Sequence, residues 1–220
     1  MPSPLGHALG GIAAAWAIDL VPGRRGREAA APGASLYDRA GGALTLICAG
    51  LAAIPDADLL VGGHRTATHS ISAALLVAIV AAGVTGWVTR VGSDTTRATT
   101  TTPIGRVALM CGAAYATHLL LDWLQIDRNP PSGIQLLWPF SREWFISGAD
   151  LFTRTERNDV WSAAALRINL IALAWETAIL LPIVVVLWVT KRRFVTRRPL
   201  GGRTKTASKA PVSFRTDGRL

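Results

Sequence analysis

Apolar residues along this chain come in long unbroken blocks, not in the one-sided stripe of an amphipathic soluble helix. From Ser70 to Val88, Ile104 to Leu124 and Ile168 to Val189 nearly every position is apolar. Each block approaches the roughly 20 residues that carry a helix across about 30 Å of hydrocarbon, so each predicts a transmembrane helix. Two further stretches are less complete. Leu5 to Leu20 is rich in Gly and Ala and contains Asp19, while Gly41 to Ile54 reaches Leu60 only by taking in Asp56 and Asp58. They predict short, tilted or re-entrant segments. The pattern gives an all-α, polytopic helical membrane protein of about five membrane segments over residues 1–190, followed by a tail over 191–220. Leu5 to Leu20 lacks the basic opening and cleavage site of a secretory signal and reads as retained structure.

Composition agrees with this pattern: half of the 220 residues are hydrophobic and 17% are charged, a balance found in membrane proteins. Cys48 and Cys111 fall inside apolar segments and read as small buried hydrophobes, not as a disulfide framework. The net charge of +9 is unevenly placed. Ten of the 23 Lys and Arg residues follow Val189, in a tail rich in Thr, Ser, Gly and Pro that cannot bury a core. The tail is expected to be disordered, cytoplasmic and able to touch anionic lipid headgroups. With no interleaved aromatics, it is not expected to bind nucleic acid.

Charge also predicts orientation. With five crossings, one side of the membrane carries 17 of the basic residues, including Arg24, Arg25, Arg27, Arg39 and the tail; the other carries six. The positive-inside rule then places the C-terminus in the cytoplasm of a multi-pass cytoplasmic (inner) membrane protein. His7, the Pro55–Asp58 turn, His64 to Ser70 and the His118–Asp122 helix end fall together on the extracytoplasmic side.

That convergence defines the candidate chemistry. His118 and Asp122 are four apart on a predicted helix and present imidazole and carboxylate side by side. Ionisable groups at membrane depth face a cavity, a partner or an ion. Pro55 marks a turn bearing Asp56 and Asp58. His64 is expected in the following loop and His69 in the first turn of the next helix, with Thr66 or Thr68 as N-cap. Singly, each residue has an ordinary reading as turn former, cap or solvated side chain. Together, all four histidines of the chain lie at same-side segment ends near Asp, Thr or Ser. The candidate metal ligands are therefore His7, Asp56, Asp58, His64, His69, His118 and Asp122. Imidazole with carboxylate suits Zn²⁺ first, or Mn²⁺ or Fe²⁺, as one or two ions; Ca²⁺ and Mg²⁺ prefer oxygen shells.

The stretches Pro2-Ser3-Pro4-Leu5-Gly6-His7, Pro55-Asp56-Ala57-Asp58, His64-Arg65-Thr66-Ala67-Thr68-His69-Ser70, His118-Leu119-Leu120-Leu121-Asp122 and Gly133 to Ser141 (GIQLLWPFS) resemble the YdjM-type family of membrane-bound, metal-dependent hydrolases. The resemblance covers roughly residues 1–145 and implies a metal-dependent hydrolase without naming a substrate. A more distant similarity is to zinc-dependent phospholipase C and related nucleases. Four histidines are too few for a trinuclear site of that kind.

A metal among these ligands implies activation of water and polarisation of a phosphoryl or carbonyl oxygen. Asp56 or Asp58 can serve as general base instead of ligand, and their spacing does not choose between them. Arg65 can hold a phosphate oxygen or pair with one of the two aspartates. The expected substrate is a phosphoester or a lipid-linked molecule reached from the bilayer. The alternative is a non-catalytic metal-binding protein with a structural, sensing or transport role. Trp138, Phe140, Trp144 and Phe145 predict an interfacial cluster. Glu176, within the last span, is an intramembrane acid with either a functional or a structural bond.

Overall fold

The computed structural model describes residues 2–21, 35–60, 64–91, 103–128, 130–157 and 159–196. The tail from 197 onward, the arginines at 24, 25 and 27, and the threonines at 99–102 lie outside them; residues 191–196, expected in the tail, instead continue the last helix. Helices α1 (Pro4–Leu20), α2 (Leu36–Ala40), α3 (Gly42–Ala53), α4 (Ile71–Val91), α5 (Ile104–Trp123) and α6 (Ala163–Thr196) account for most of the described chain. Among the described residues there are only isolated β-bridges, Gln125 with Phe152 and Ile134 with Phe145.

Among the described residues, four segments are long and apolar enough to cross a membrane: Gly42–Leu60, Ile71–Val91, Ile104–Trp123 and Ala163–Arg193. The first of these answers an open point of the sequence. Helix α3 does not stop at Pro55 but tightens into a 3-10 helix over Ile54–Leu60 that carries both aspartates. Pro55 has no N–H to lose from a ladder at such a transition. Helix α1 has 17 residues, about 25 Å at 1.5 Å per residue, and is packed among α3, α5 and α6. Its start is set by Ser3, whose hydroxyl accepts from the Gly6 amide, and by Pro4 at the first turn.

Helices α1, α4 and α6 begin at the end of the bundle where the Gly42–Leu60 segment and α5 finish. The opposite end is tied by Asp19 of α1, which pairs with Arg106 of α5 and lies 2.8 Å from Lys191 of α6. Side chains facing away from the bundle are apolar: on α4 only Ala74 is buried, and Leu75, Leu76, Ile79, Val80, Val84 and Trp87 are exposed. Such a surface suits hydrocarbon and not water.

Glycine lets α1 sit this deep. A Cβ on Gly11 would lie 2.6 Å from both the Ala52 Cβ and the Cys48 carbonyl oxygen of α3. Small residues of this kind let membrane helices approach at backbone distance. Across the other end of the bundle, residues between α5 and α6 form a cap. Its backbone bonds run from Ile126 N to Phe152 O (2.8 Å), from Ile71 N to Leu136 O (2.9 Å) and from Gln135 N to Arg65 O (3.0 Å).

Candidate metal centre

Five side chains from four parts of the chain meet beneath this cap: His7 of α1, Asp56 of the 3-10 turn, His69 just before α4, and His118 and Asp122 of α5. His7, His69, His118 and Asp122 have no exposed surface, and Asp56 has 14%. Donor atoms of Asp56, His69, His118 and Asp122 all lie within 4.8 Å of one another. His69 Nε2 is 3.3 Å from Asp122 Oδ2 and 3.6 Å from Asp56 Oδ1. His118 Nε2 is 3.4 Å from Asp122 Oδ2 and 3.5 Å from Asp56 Oδ1. His7 Nε2 is 3.6 Å from Asp122 Oδ1 and 3.8 Å from Asp56 Oδ2.

These separations are too long for hydrogen bonds, which need roughly 2.7–3.2 Å. They match another geometry. Ligands about 2.0–2.2 Å from a tetrahedral Zn²⁺ stand about 3.3–3.6 Å apart, the spacing of the His69 and His118 Nε2 atoms from the Asp56 and Asp122 oxygens; the two Nε2 atoms themselves are nearer, at 3.0 Å. Both ring nitrogens of His7, Asp56 Oδ1 and both oxygens of Asp122 are buried without hydrogen-bond partners. At about 1–3 kcal/mol for each unsatisfied group, five such atoms cost on the order of 5–15 kcal/mol, as much as the whole stability of a typical domain. A cation among them offsets part of that cost, so the residues fit a divalent metal with mixed nitrogen and oxygen ligands.

The imidazoles are held in the orientation that ligation needs. His118 Nδ1 lies 2.8 Å from the Ala52 carbonyl oxygen and donates to it, leaving the Nε2 lone pair for the centre. His69 Nδ1 lies 3.2 Å from Asp58 Oδ2 and its Nε2 faces inward. A carboxylate or carbonyl behind the imidazole is the usual support of a metal-bound histidine. Burial works against charge on His69, but the carboxylates of Asp122, Asp56 and Asp58 outweigh it and raise the group to about 10.

Asp58 and His64 form a second group with His69, displaced from the first. Asp58 Oδ1 is 2.8 Å from His64 Nδ1. Its Oδ2 accepts from Thr68 Oγ1 at 2.6 Å and from the Arg65 amide at 3.1 Å. Thr68 thus bonds Asp58 instead of capping α4. Ser70 is the cap, its hydroxyl accepting from Ala73 N at 3.1 Å. The Arg65 side chain pairs with Asp127, not with Asp56 or Asp58.

Two residues that the motifs did not single out belong to this region. Arg157, from the cap, is exposed at the surface and brings Nη1 to 3.3 Å from His64 Nε2. Its pKa is lowered, first by partial desolvation of the side chain, with Asp56, Asp122 and Asp58 acting against the shift and Arg65 adding to it, so it sits within the field of the centre. Asn169 of α6 fixes the backbone beside it, accepting from Glu156 N at 2.7 Å and donating to Glu156 O at 2.9 Å. Glu176 is buried and accepts from the Ser3 amide at 2.9 Å and from the Ser3 hydroxyl, tying the start of the His7 helix to α6.

A family profile described as YdjM inner membrane protein matches residues 1–195. Neither the curated proteins nor the solved structures contain a match.

Proposed function

The chain belongs to the YdjM inner membrane protein family, and we propose that it is a membrane-bound, metal-dependent hydrolase of a phosphoester or lipid-linked substrate. The observation that carries this reading is the set of buried, unpartnered nitrogen and oxygen atoms of His7, Asp56 and Asp122 facing His69 and His118. A divalent ion there, zinc first and Mn²⁺ or Fe²⁺ otherwise, supplies Lewis acidity towards a phosphoryl or carbonyl oxygen and makes water a nucleophile at neutral pH.

The chain's own groups divide the remaining work. Asp56, the one partly exposed ligand, marks the side from which a substrate reaches the centre; structural zinc sites, by contrast, are closed. Asp58 orients His69 and His64 instead of serving as general base. His64, with its Nδ1 on Asp58 and 22% of its side chain exposed, can take or give a proton at Nε2. Arg157, beside that nitrogen, offers a planar pair of donors to an anionic oxygen, one of the two roles the sequence allows Arg65, whose side chain pairs with Asp127 instead. Membrane lipids are the natural source of substrate, since Leu60, Phe140 and Trp161 are 88%, 91% and 93% exposed near the capped end and suit the interface. The bias of basic residues, 17 against six, supports an extracytoplasmic site.

The test is elemental analysis of the purified protein together with release of phosphate or headgroup from a panel of phospholipids and lipid phosphates. Bound metal lost in His118→Ala and Asp122→Ala, with activity removed by chelation and by His69→Ala, is the expected result. Metal content unchanged in both variants, or hydrolysis indifferent to chelation and to His69→Ala, refutes it.

A further inference from the structure

We propose that the centre is built for two ions bridged by Asp56 and Asp122, with His7 as the terminal ligand of the second. The inference rests on the metal-centre reading above and deepens it. Each of the two carboxylates turns its oxygens in different directions. Asp122 Oδ2 and Asp56 Oδ1 face His69 Nε2 and His118 Nε2, at 3.3, 3.4, 3.5 and 3.6 Å. Asp122 Oδ1 and Asp56 Oδ2 face His7 Nε2, at 3.6 and 3.8 Å. The two donor sets therefore share residues but no atoms. An ion in the first set alone leaves His7 Nε2 and Asp122 Oδ1 buried and unpartnered.

The spacing of the two positions follows from the histidines. His7 and His118 stack with ring centroids 3.8 Å apart and planes within 20°, and the Nε2 atoms of both point at the same two carboxylates. Near-parallel imidazoles so placed direct their lone pairs to points separated by about the stacking distance. That agrees with the roughly 3.5–4 Å between ions of two-metal hydrolytic sites. The first position has two nitrogens and two oxygens. The second has one nitrogen and two oxygens and lies on the side of Asp56 Oδ2. Because the Asp56 side chain has surface exposure while its Oδ1 is buried, the second position is the one nearer the surface. A pair of ions suits the in-line displacement of a phosphoester, where attacking and leaving oxygens both need stabilisation.

The experiment uses the full chain in detergent, stripped by chelation and titrated with Zn²⁺ or, separately, Mn²⁺. Two ions per chain, an exchange-coupled Mn²⁺ resonance signal, and retention of a single uncoupled ion in His7→Ala and His7→Gln are expected. Saturation at one ion with His7→Gln unchanged overturns the second position and leaves the first intact. Two ions without magnetic coupling place the second elsewhere and also overturn it. No bound ion in the wild-type chain removes both this inference and the metal-centre reading. The resonance signal of the wild-type chain decides the matter even where a His7 variant fails to fold.

Discussion

Replacing Gly11 by alanine tests how the helix packing sets the centre. Gly11 lies one turn after His7 on α1, against α3. Its added Cβ would stand 2.6 Å from the Cys48 carbonyl oxygen and from the Ala52 Cβ, where ordinary contact begins near 3.4 Å. The carbonyl belongs to backbone and cannot swing away, so the two helices must part by about 0.8 Å, the difference of those two distances. Both sides of that contact reach the centre. Helix α1 carries His7, and the Ala52 carbonyl oxygen holds His118 Nδ1 at 2.8 Å. Overpacking of this kind costs about 1–3 kcal/mol, and loss of ligand support lowers metal affinity about 10- to 100-fold. The assay is thermal unfolding of the metal-loaded protein alongside a competitive zinc titration. Gly50→Ala, on the same pair of helices but with nothing within 4 Å of its added Cβ, is the control: it should match the wild type in zinc affinity and melt no lower, since alanine is favoured over glycine by about 1 kcal/mol inside a helix. Wild-type affinity and melting temperature in Gly11→Ala would refute the claim that this contact places the ligands.

Asp58→Asn should lower zinc affinity about 10- to 100-fold while leaving all five inner ligands in place, because His69 and His64 both lean on that carboxylate; zinc competition measures it, and unchanged affinity contradicts the supporting role. Arg157→Ala should raise KM for an anionic phosphoester about tenfold or more with metal content unchanged, whereas a larger loss of metal than of substrate binding would make the residue structural. Metal uptake should release about one proton at pH 7.5, because His69 in the ion-free protein keeps its proton up to about 10 and a ligating nitrogen must lose it. Calorimetric titration in buffers of different ionisation enthalpy reads this directly, and an uptake independent of buffer contradicts it.

Much of the centre was legible because it obeys simple periodicities. His118 and Asp122 are one helical turn apart and face one point, and long apolar blocks mark the helices whose ends assemble the rest. The division between Asp56 and Asp58 was not legible, because it depends on the pitch of the segment that carries them. In a 3-10 helix residues two apart differ by about 240°, so the two carboxylates must serve different neighbours: Asp56 the inner histidines, Asp58 the back of His69 and His64. A turn after Pro55 predicted no such divergence. The partner of Arg65 was hidden for another reason. Asp127 lies 62 positions away, in a cap whose path no local pattern encodes. Arg157 carried no signal beyond its charge, and the Asn169 clamp on Glu156 holds the backbone beside it. Ser70 took the cap of α4 because Thr68 found a buried carboxylate.

The bond between Ser3 and Glu176, 173 positions apart, has a consequence for the order in which the protein is made. All five inner ligands are present once α5 has entered the membrane, yet the start of the helix carrying His7 gains its bond to Glu176 only when α6 follows. Joining the two ends of so long a chain carries a closure entropy that grows only slowly with length, so the delay is one of synthesis and insertion, not of search. A ribosome-bound chain ending after α5 holds all five inner ligands but lacks the Glu176 partner of Ser3. The last span thereby acts as the latch on the start of the first.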